Sequence, residues 1–555
     1  MSFILYRILG NDLPPRHMPR QTLANLRFVL EHEPPLPGCE KRWVLNRIAD
    51  PAIEGAARAM IAAAGHRLLH IAFSLDEYAG AAIDHGGPQD EHLHAPAFHA
   101  LPPERRAIIL EWCLRRRTHY LTNVNAARNR ALAEGRGVAR WTLPWDGSTL
   151  LTRAAWDEIR AAADGAGDAR YLAVPLLRTG PGGEPLPAAG IGEPQLAFRD
   201  DAVESFDTDL RYGYSDKAAL LARLGVDGPW SPGEQARIMA TKAGPSPDAG
   251  RWRWAGAVLR LTSGNDAADE DPRRRVADRV RGLIAFTRAM DERVIARNWS
   301  AGQPLFYRRL PQPGSRDMAS LLREAAAGGW RGVVAAALAA AGQGASDGAA
   351  ARRLVAAAHG LLTGRGGGVV SAFAIDAVAA VARAVRADGA AIAGLRAAAD
   401  RLLTAPADAE GARAAFLSRG VAGTGYELLA LSLSAFLGDV GRLRQVLERL
   451  PMRVAQQFRP DGSQPDCRGA AAVANLECWG CIAAMARPLG FDAAAVRGDD
   501  GPLLQAGLTR AARAPGAPLP RLRAAAYLVV GKRPATMAVG EGVPSLPPFW
   551  TAALD

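Results

Sequence analysis

The hydrophobic period of this chain changes once, and that change divides it. Up to about residue 262, short apolar runs of strand type alternate with stretches of helical spacing. From Val276 onward the apolar patterns are helical and the composition turns Ala- and Leu-rich. Period two and period 3.6 call for different architectures, so α/β is expected first and all-α second. At 555 residues one core is too few, and two to four domains are expected. The charged break Ser263–Arg275, SGNDAADEDPRRR, marks the division. The expected bounds are 1–265 for the first domain, 266–280 for a linker and 281–555 for the second.

FILYRIL (3–9) is a continuous apolar run ending at Gly10-Asn11-Asp12, the pattern of a parallel strand buried on both faces. Gln21–Glu31 has the helical period. KRWVLNRIAD (41–50) reads as a second strand, Pro51–Ala64 as a helix and RLLHIAF (67–73) as a third strand. That alternation predicts a parallel sheet wound with helices. No G-x-G-x-x-G follows the first strand, so a dinucleotide-binding Rossmann domain is not supported.

Ser74–Pro103 is polar and irregular, and it holds His85, His92, His94 and His99. His92 and His94 share a face only on a strand, and the surrounding Pro and Gly argue for a loop. An acceptor-binding or lid loop is expected there ahead of a metal site. Glu104–Arg130 reads as mostly helical. It leads into Asn123–Leu150, NVNAARNRALAEGRGVARWTLPWDGSTL, which reads as helix, turn and buried strand. Gly135 and Gly137 stop the helix, and Asp146 stands at the carboxyl end of the strand, where open α/β sheets bind ligands.

This stretch resembles the inverting glycosyltransferases of GT-A fold, which carry Ala-Arg-Asn on a helix and then a strand ending in Asp-x-Asp. Here the motifs are Ala127-Arg128-Asn129 and Pro144-Trp145-Asp146, with the first Asp absent. The resemblance implies a GT-A-like domain with a Rossmann-like parallel sheet. It also implies a nucleotide-sugar donor, and a divalent metal (Mn²⁺ or Mg²⁺) held at Asp146 with Arg128 and Asn129 nearby. The first two strand ends correspond to the family's nucleotide-binding positions, which makes Asn11 and Asp50 candidates. Either also suits a cap or a turn.

Thr152–Ala163 (helix), RYLAVPLLRT (170–179, strand) and QLAFR (strand) follow. SFDTDLRYGYSDKAALLARL then feeds a helix, and RWRWAGAVLRLT (251–262) closes the domain as a strand-like run. Phe206, Asp207, Tyr212, Gly213 and Asp216 resemble the family's late motif, with Ser215 in place of its Glu. The resemblance implies that Asp216 is the general base. An inverting transfer needs one carboxylate to take the acceptor hydroxyl proton and a cationic clamp for the leaving diphosphate. Asp216 also suits a helix N-cap.

Helical spacing covers 276–296, 316–341, 347–363, 371–402, 409–418, 425–449, 468–487 and 502–514, which suggests a bundle or an α/α toroid. Gln456, Gln457, Pro460–Pro465 (PDGSQP), Arg468 and Asn475-Leu476 resemble the alginate lyase family, an α/α toroid fold. The resemblance implies that Gln464, Arg468 and Tyr426 contact a glycan. The Asn-His pair of those lyases is expected just before Gly423, where Val421 and Ala422 stand. No Tyr follows Arg468 within GAAAVANL, and the only histidine after residue 276 is His359. The domain is therefore read as lyase-like in fold, either holding an anionic glycan or bracing the transferase domain.

The net charge of +11 favours nucleotides, anionic glycans or an anionic membrane surface, and a GC-rich genome choosing Arg and Ala explains it equally well. No basic run with interleaved aromatics points to nucleic acid. No stretch reaches the length of a membrane span, and MSFILYRILGND has no signal-peptide pattern. A cytoplasmic chain is expected, with peripheral membrane association left open. The five cysteines (39, 113, 467, 478, 481) suit reduced, buried thiols. The expected function is transfer of a sugar from a nucleotide-sugar to a polysaccharide or lipid-linked glycan acceptor, as in capsule or exopolysaccharide synthesis. The alternatives are a polysaccharide lyase acting by β-elimination and a non-catalytic glycan-binding scaffold.

Overall fold

The computed structural model describes residues 2–83, 96–179, 191–213, 217–228, 241–261, 272–299, 389–404, 416–498 and 501–530. The chain divides into two compact units. The first is Met1–Ala81 with Arg115–Thr287, and the second is Ala82–Leu114 with Arg288–Asp555.

A nine-stranded sheet organises the first unit. Strands β1 (Phe3–Leu9), β2 (Cys39–Asn46), β3 (Arg67–Ile71) and β4 (Trp141–Asp146) lie in the order β3-β2-β1-β4, all parallel. All seven residues of β1 are buried because helices cover both faces. Phe3 and Leu5 pack with Trp141 and Trp156, while Ile4, Tyr6 and Ile8 pack with Val44, Ala127 and Ala131. Each fully buried apolar side chain of this kind stabilises the fold by about 1.5–3 kcal/mol. The covering helices include α1 (Gln21–His32), α2 (Pro51–Ala63), α3 (Val124–Gly135) and α4 (Arg153–Asp164).

Beyond β4 the sheet is mixed, which corrects the expectation of a parallel sheet throughout. β7 (Ile191–Arg199) pairs antiparallel with both β4 and β6 (Tyr171–Arg178). β6 and β7 follow each other in sequence, and their register runs from Tyr171 opposite Phe198 to Leu177 opposite Ile191. RWRWAGAVLRLT forms two strands rather than one, β8 (Trp252–Trp254) and β9 (Val258–Arg260), and β9 also pairs with β5 (Thr149–Leu150).

The expected loop Ser74–Pro103 carries helices at Leu75–Gly80 and Pro96–Ala100. Ser74 starts the first, accepting from Glu77 N at 3.2 Å, with Asp76 and Glu77 in its first turn. His85, His92 and His94 lie outside the described residues.

In the second unit helices predominate among the described residues. They include the end of α5 (Pro272–Asn298), then α6 (Val421–Leu437), α7 (Val440–Gln457), α8 (Ala470–Ala486), α9 (Leu503–Ala512) and α10 (Leu519–Val530). The single helix expected over 425–449 is two. Gly438 takes a left-handed φ of 75° and Asp439 accepts from Arg442 N at 2.9 Å, so one helix stops and the next is capped. Trp479, Leu431, Leu450 and Leu504 lie in the common core. The helices expected at 316–341 and 347–363 lie outside the described residues. Among the described residues no helix is long and apolar enough to cross a membrane.

Candidate functional site

In the first unit a cleft of about 540 Å³ opens at the carboxyl ends of β1, β2, β4 and β6, a volume suited to a small-molecule ligand. Seven cations line it: Arg16, Arg128, Arg178, Lys217, Arg260, Arg275 and Arg279. The described carboxylates facing them are Asp12, Asp146 and Glu193.

Asp146 ends β4. The next residue, Gly147, hugs the end of β1, since a Cβ there would meet Ile8 O at 2.5 Å. That close passage holds the Asp146 carboxylate at the cleft. Its Oδ1 accepts from Arg128 Nη2 at 2.6 Å. Its Oδ2 accepts from Gln195 Nε2 at 2.9 Å and faces Lys217 Nζ at 3.5 Å. Burial alone pushes this carboxyl up, but Lys217, Arg128 and Arg260 outweigh it and hold the group far below the usual carboxylate range.

The helix motif has a structural logic. Asn125, Arg128 and Asn129 are three and four residues apart, so they share one face of α3. Asn125 Oδ1 accepts from Arg128 Nη1 at 2.7 Å, and the guanidinium lies 5.2 Å from the Phe206 ring centre. Asn129 donates to Phe206 O and accepts from Phe206 N, both at 2.8 Å. Asn125 donates to Asp207 O at 2.7 Å. The helix therefore grips the Phe206-Asp207 segment, which leads on to Tyr212 and Gly213 at the cleft wall. Asn129 itself is not among the lining residues and serves as a clamp.

Asn11 lines the cleft, yet its side chain is spent on the backbone. It donates to Arg47 O at 2.8 Å and Leu121 O at 3.2 Å, and accepts from Ala49 N at 2.8 Å. Arg47 has a left-handed φ of 50°, so Asn11 pins a strained turn after β2. Asp50 is the N-cap of α2, accepting from Ala52 N at 2.8 Å, and is exposed away from the cleft lining. Asp216 lies outside the described residues, as does Ser215.

Sequence reasoning missed Lys217, Arg260, Gln195 and Asn125. Lys217 directly follows the Asp216 motif, and Gln195 is an amide in an otherwise apolar strand. Both signals were present in the sequence. The described donors do not fit a divalent cation at Asp146. Both oxygens of that carboxylate are engaged, and cations surround it. Among the described residues no group of His, Cys, Asp or Glu forms a metal cluster.

In the second unit, Gln464 and Arg468 line a cleft of about 780 Å³ together with Arg510 and Arg521. The resemblance segment is tied down by buried amides. Gln457 Oε1 accepts from Thr424 Oγ1 at 2.9 Å and Trp479 Nε1 at 2.8 Å, and Asn475 Nδ2 donates to Gln464 Oε1 at 2.8 Å. Tyr426 is not part of that lining; its ring packs on Phe416 at 5.5 Å, and burial raises its phenol pKa. Cys478 and Cys481 are both buried, and burial pushes the Cys478 thiol up to about 12. His359 lies outside the described residues.

No protein-family model matches the chain, and the curated proteins contain no match to it. Among solved structures, an alginate lyase from Bacteroides ovatus is similar at 15% identity. The match covers 41% of this chain and 73% of that one, with a TM-score of 0.32. At that score the likeness carries neither a fold nor an activity across to this chain.

Proposed function

We propose that the first unit is a GT-A-like glycosyltransferase domain, which transfers a sugar from a nucleotide-sugar to a glycan acceptor. The observation that carries this reading is the cationic cleft at the strand ends, with Asp146 held between Arg128 and Lys217. A leaving diphosphate concentrates negative charge, and fixed N–H donors aimed at it stabilise the transition state without reorganising. In the proposed step the acceptor oxygen bonds to the anomeric carbon. The bond from that carbon to the diphosphate oxygen breaks, and its electron pair stays on the diphosphate. Asp216, one residue before Lys217, takes the hydroxyl proton. The second unit, read as a lyase-like α/α toroid, holds an acidic glycan such as a capsular polymer. The comparisons lend the transferase reading no support; it rests on the site.

One observation favours a second reading, β-elimination of an anionic polysaccharide by the second unit: three arginines line its cleft, Arg468, Arg510 and Arg521. One experiment separates the two readings. Donor turnover is measured across a nucleotide-sugar panel, with Mn²⁺, Mg²⁺ or EDTA, for wild type, Asp146→Ala and Asp216→Asn. Ultraviolet absorbance of unsaturated products is followed on alginate and other uronates. Turnover of one donor that Asp216→Asn abolishes supports transfer. No turnover of any donor, together with unsaturated products, replaces it with the lyase.

A further inference from the structure

We infer that the cleft of the first unit binds a nucleoside diphosphate through its own cations, without a divalent metal ion. This rests on the donor-site reading above and goes beyond it by assigning what neutralises the phosphates.

The inference starts from the state of Asp146. A metal ion that bridges protein and diphosphate needs an open carboxylate oxygen. Here Oδ1 is held by Arg128 at 2.6 Å, and Oδ2 by Gln195 at 2.9 Å with Lys217 at 3.5 Å. A divalent ion would have to displace an amide and a cation, and would then sit among like charges. A diphosphate meets the opposite situation. Lys217 is 4% exposed and Arg128 is 2% exposed, so both charges are fixed and poorly hydrated, the condition in which a cation gains most from an anion. Arg260 and Arg275 also face the cleft.

Asp146 then has a different task. It is the counter-charge that holds Arg128 and Lys217 in place at the cleft. Asn125 and Phe206 fix Arg128 from behind. Lys217 Nζ stands 3.5 Å from Oδ2 of that carboxylate and lines the cleft, so it is the residue on which binding should depend most.

The test uses the full chain. Calorimetric titrations with UDP, GDP, CDP, ADP and dTDP are run in EDTA and again in Mn²⁺. The expected result is one nucleoside diphosphate whose affinity differs by less than about threefold between the two conditions and falls steeply with added salt. Lys217→Met should weaken it by at least about tenfold, and Lys217→Arg should restore most of the loss. Paramagnetic resonance of Mn²⁺ with protein alone should show no bound ion. Binding that appears only with Mn²⁺ or Mg²⁺ overturns the inference and leaves the donor site standing, as does a bound Mn²⁺ signal lost in Asp146→Asn. Absence of binding by every nucleotide in both conditions overturns the donor-site reading and this inference together. The wild-type titrations decide these outcomes even if a Lys217 variant does not fold.

Discussion

Lys217 Nζ stands 3.5 Å from Asp146 Oδ2, while Arg128 holds the other oxygen at 2.6 Å. Removing the carboxylate takes a shared counter-charge away from two nearly buried cations. Asp146→Ala is expected to destabilise the chain by about 3 kcal/mol, read from denaturant midpoints. The pH dependence has a definite sign. The folded carboxyl pKa lies below its unfolded value of about 3.9, so the stabilisation is complete above that pH and is lost as pH falls through the folded value. The stability gap between wild type and Asp146→Asn should stay flat from neutral pH down to about 4 and narrow below it.

Asn129 makes two hydrogen bonds to the backbone of a single residue, Phe206. Asn129→Ala leaves an N–H and a carbonyl unpaired and should cost about 1–3 kcal/mol. Because Asn129 does not line the cleft, nucleotide affinity should fall only through movement of the Phe206–Gly213 segment. Hydrogen exchange at Phe206 and Asp207 should rise in step with that loss. Loss of affinity with unchanged exchange would point to direct ligand contact instead.

A side chain at position 147 has no room, since its Cβ would meet Ile8 O at 2.5 Å and Leu9 Cδ2 at 2.6 Å. Gly147→Ala should destabilise by about 1–3 kcal/mol and weaken ligand binding, by shifting Asp146 relative to Arg128. Gly137→Ala is the control. It has open space at its Cβ but a left-handed φ of 82°, so it should cost about 1 kcal/mol and leave binding intact.

The second unit contains a fully buried ion pair. Glu427 and Arg453 have no side-chain exposure, and Arg449 reaches Glu427 at 2.7 Å. Glu427→Gln should destabilise by about 3–5 kcal/mol, because it leaves buried guanidinium groups uncompensated. Glu427→Leu combined with Arg453→Met should recover much of that loss, which chemical denaturation of the single and double variants will show.

Gln464 and Arg468 share a cleft that Tyr426 does not line. If that cleft holds an acidic glycan, Arg468→Ala should weaken binding of an alginate oligomer by about tenfold, and Tyr426→Phe should leave it unchanged. A large effect of Tyr426→Phe on product formation would make Tyr426 an acid of a working lyase.

Much of the sheet was legible because β1 and β2 announce themselves by continuous apolar runs, and Pro51 and Gly135 punctuate the helices. The antiparallel turn of the sheet was not, since LAVPLLR and QLAFR look alike whichever way they pair. Asp146 could be picked out as the end of a buried strand, and Arg128 through the resemblance of Ala127-Arg128-Asn129 to the glycosyltransferase motif. Their commitment to each other could not, because it depends on Lys217 and Gln195, which approach from other elements of the fold. Asp50 is a cap because Pro51 fixes the first helical turn beside it. Asn11 shows how one amide, at a position expected to bind nucleotide, is consumed by three backbone groups.

The second unit draws Ala82–Leu114 from early in the chain and the rest from beyond Arg288. Cys113 Sγ meets Met452 Sδ across 339 residues of sequence, with Phe98 in the same small cluster. During synthesis the ribosome releases Phe98 and Cys113 long before Met452 exists. These apolar side chains thus wait for their partner through most of translation, a period in which chaperone capture would protect the nascent chain. A fragment ending in the charged stretch after Ser263 would never emerge from that state. Its solubility on expression should improve when Phe98 and Cys113 are replaced by polar residues.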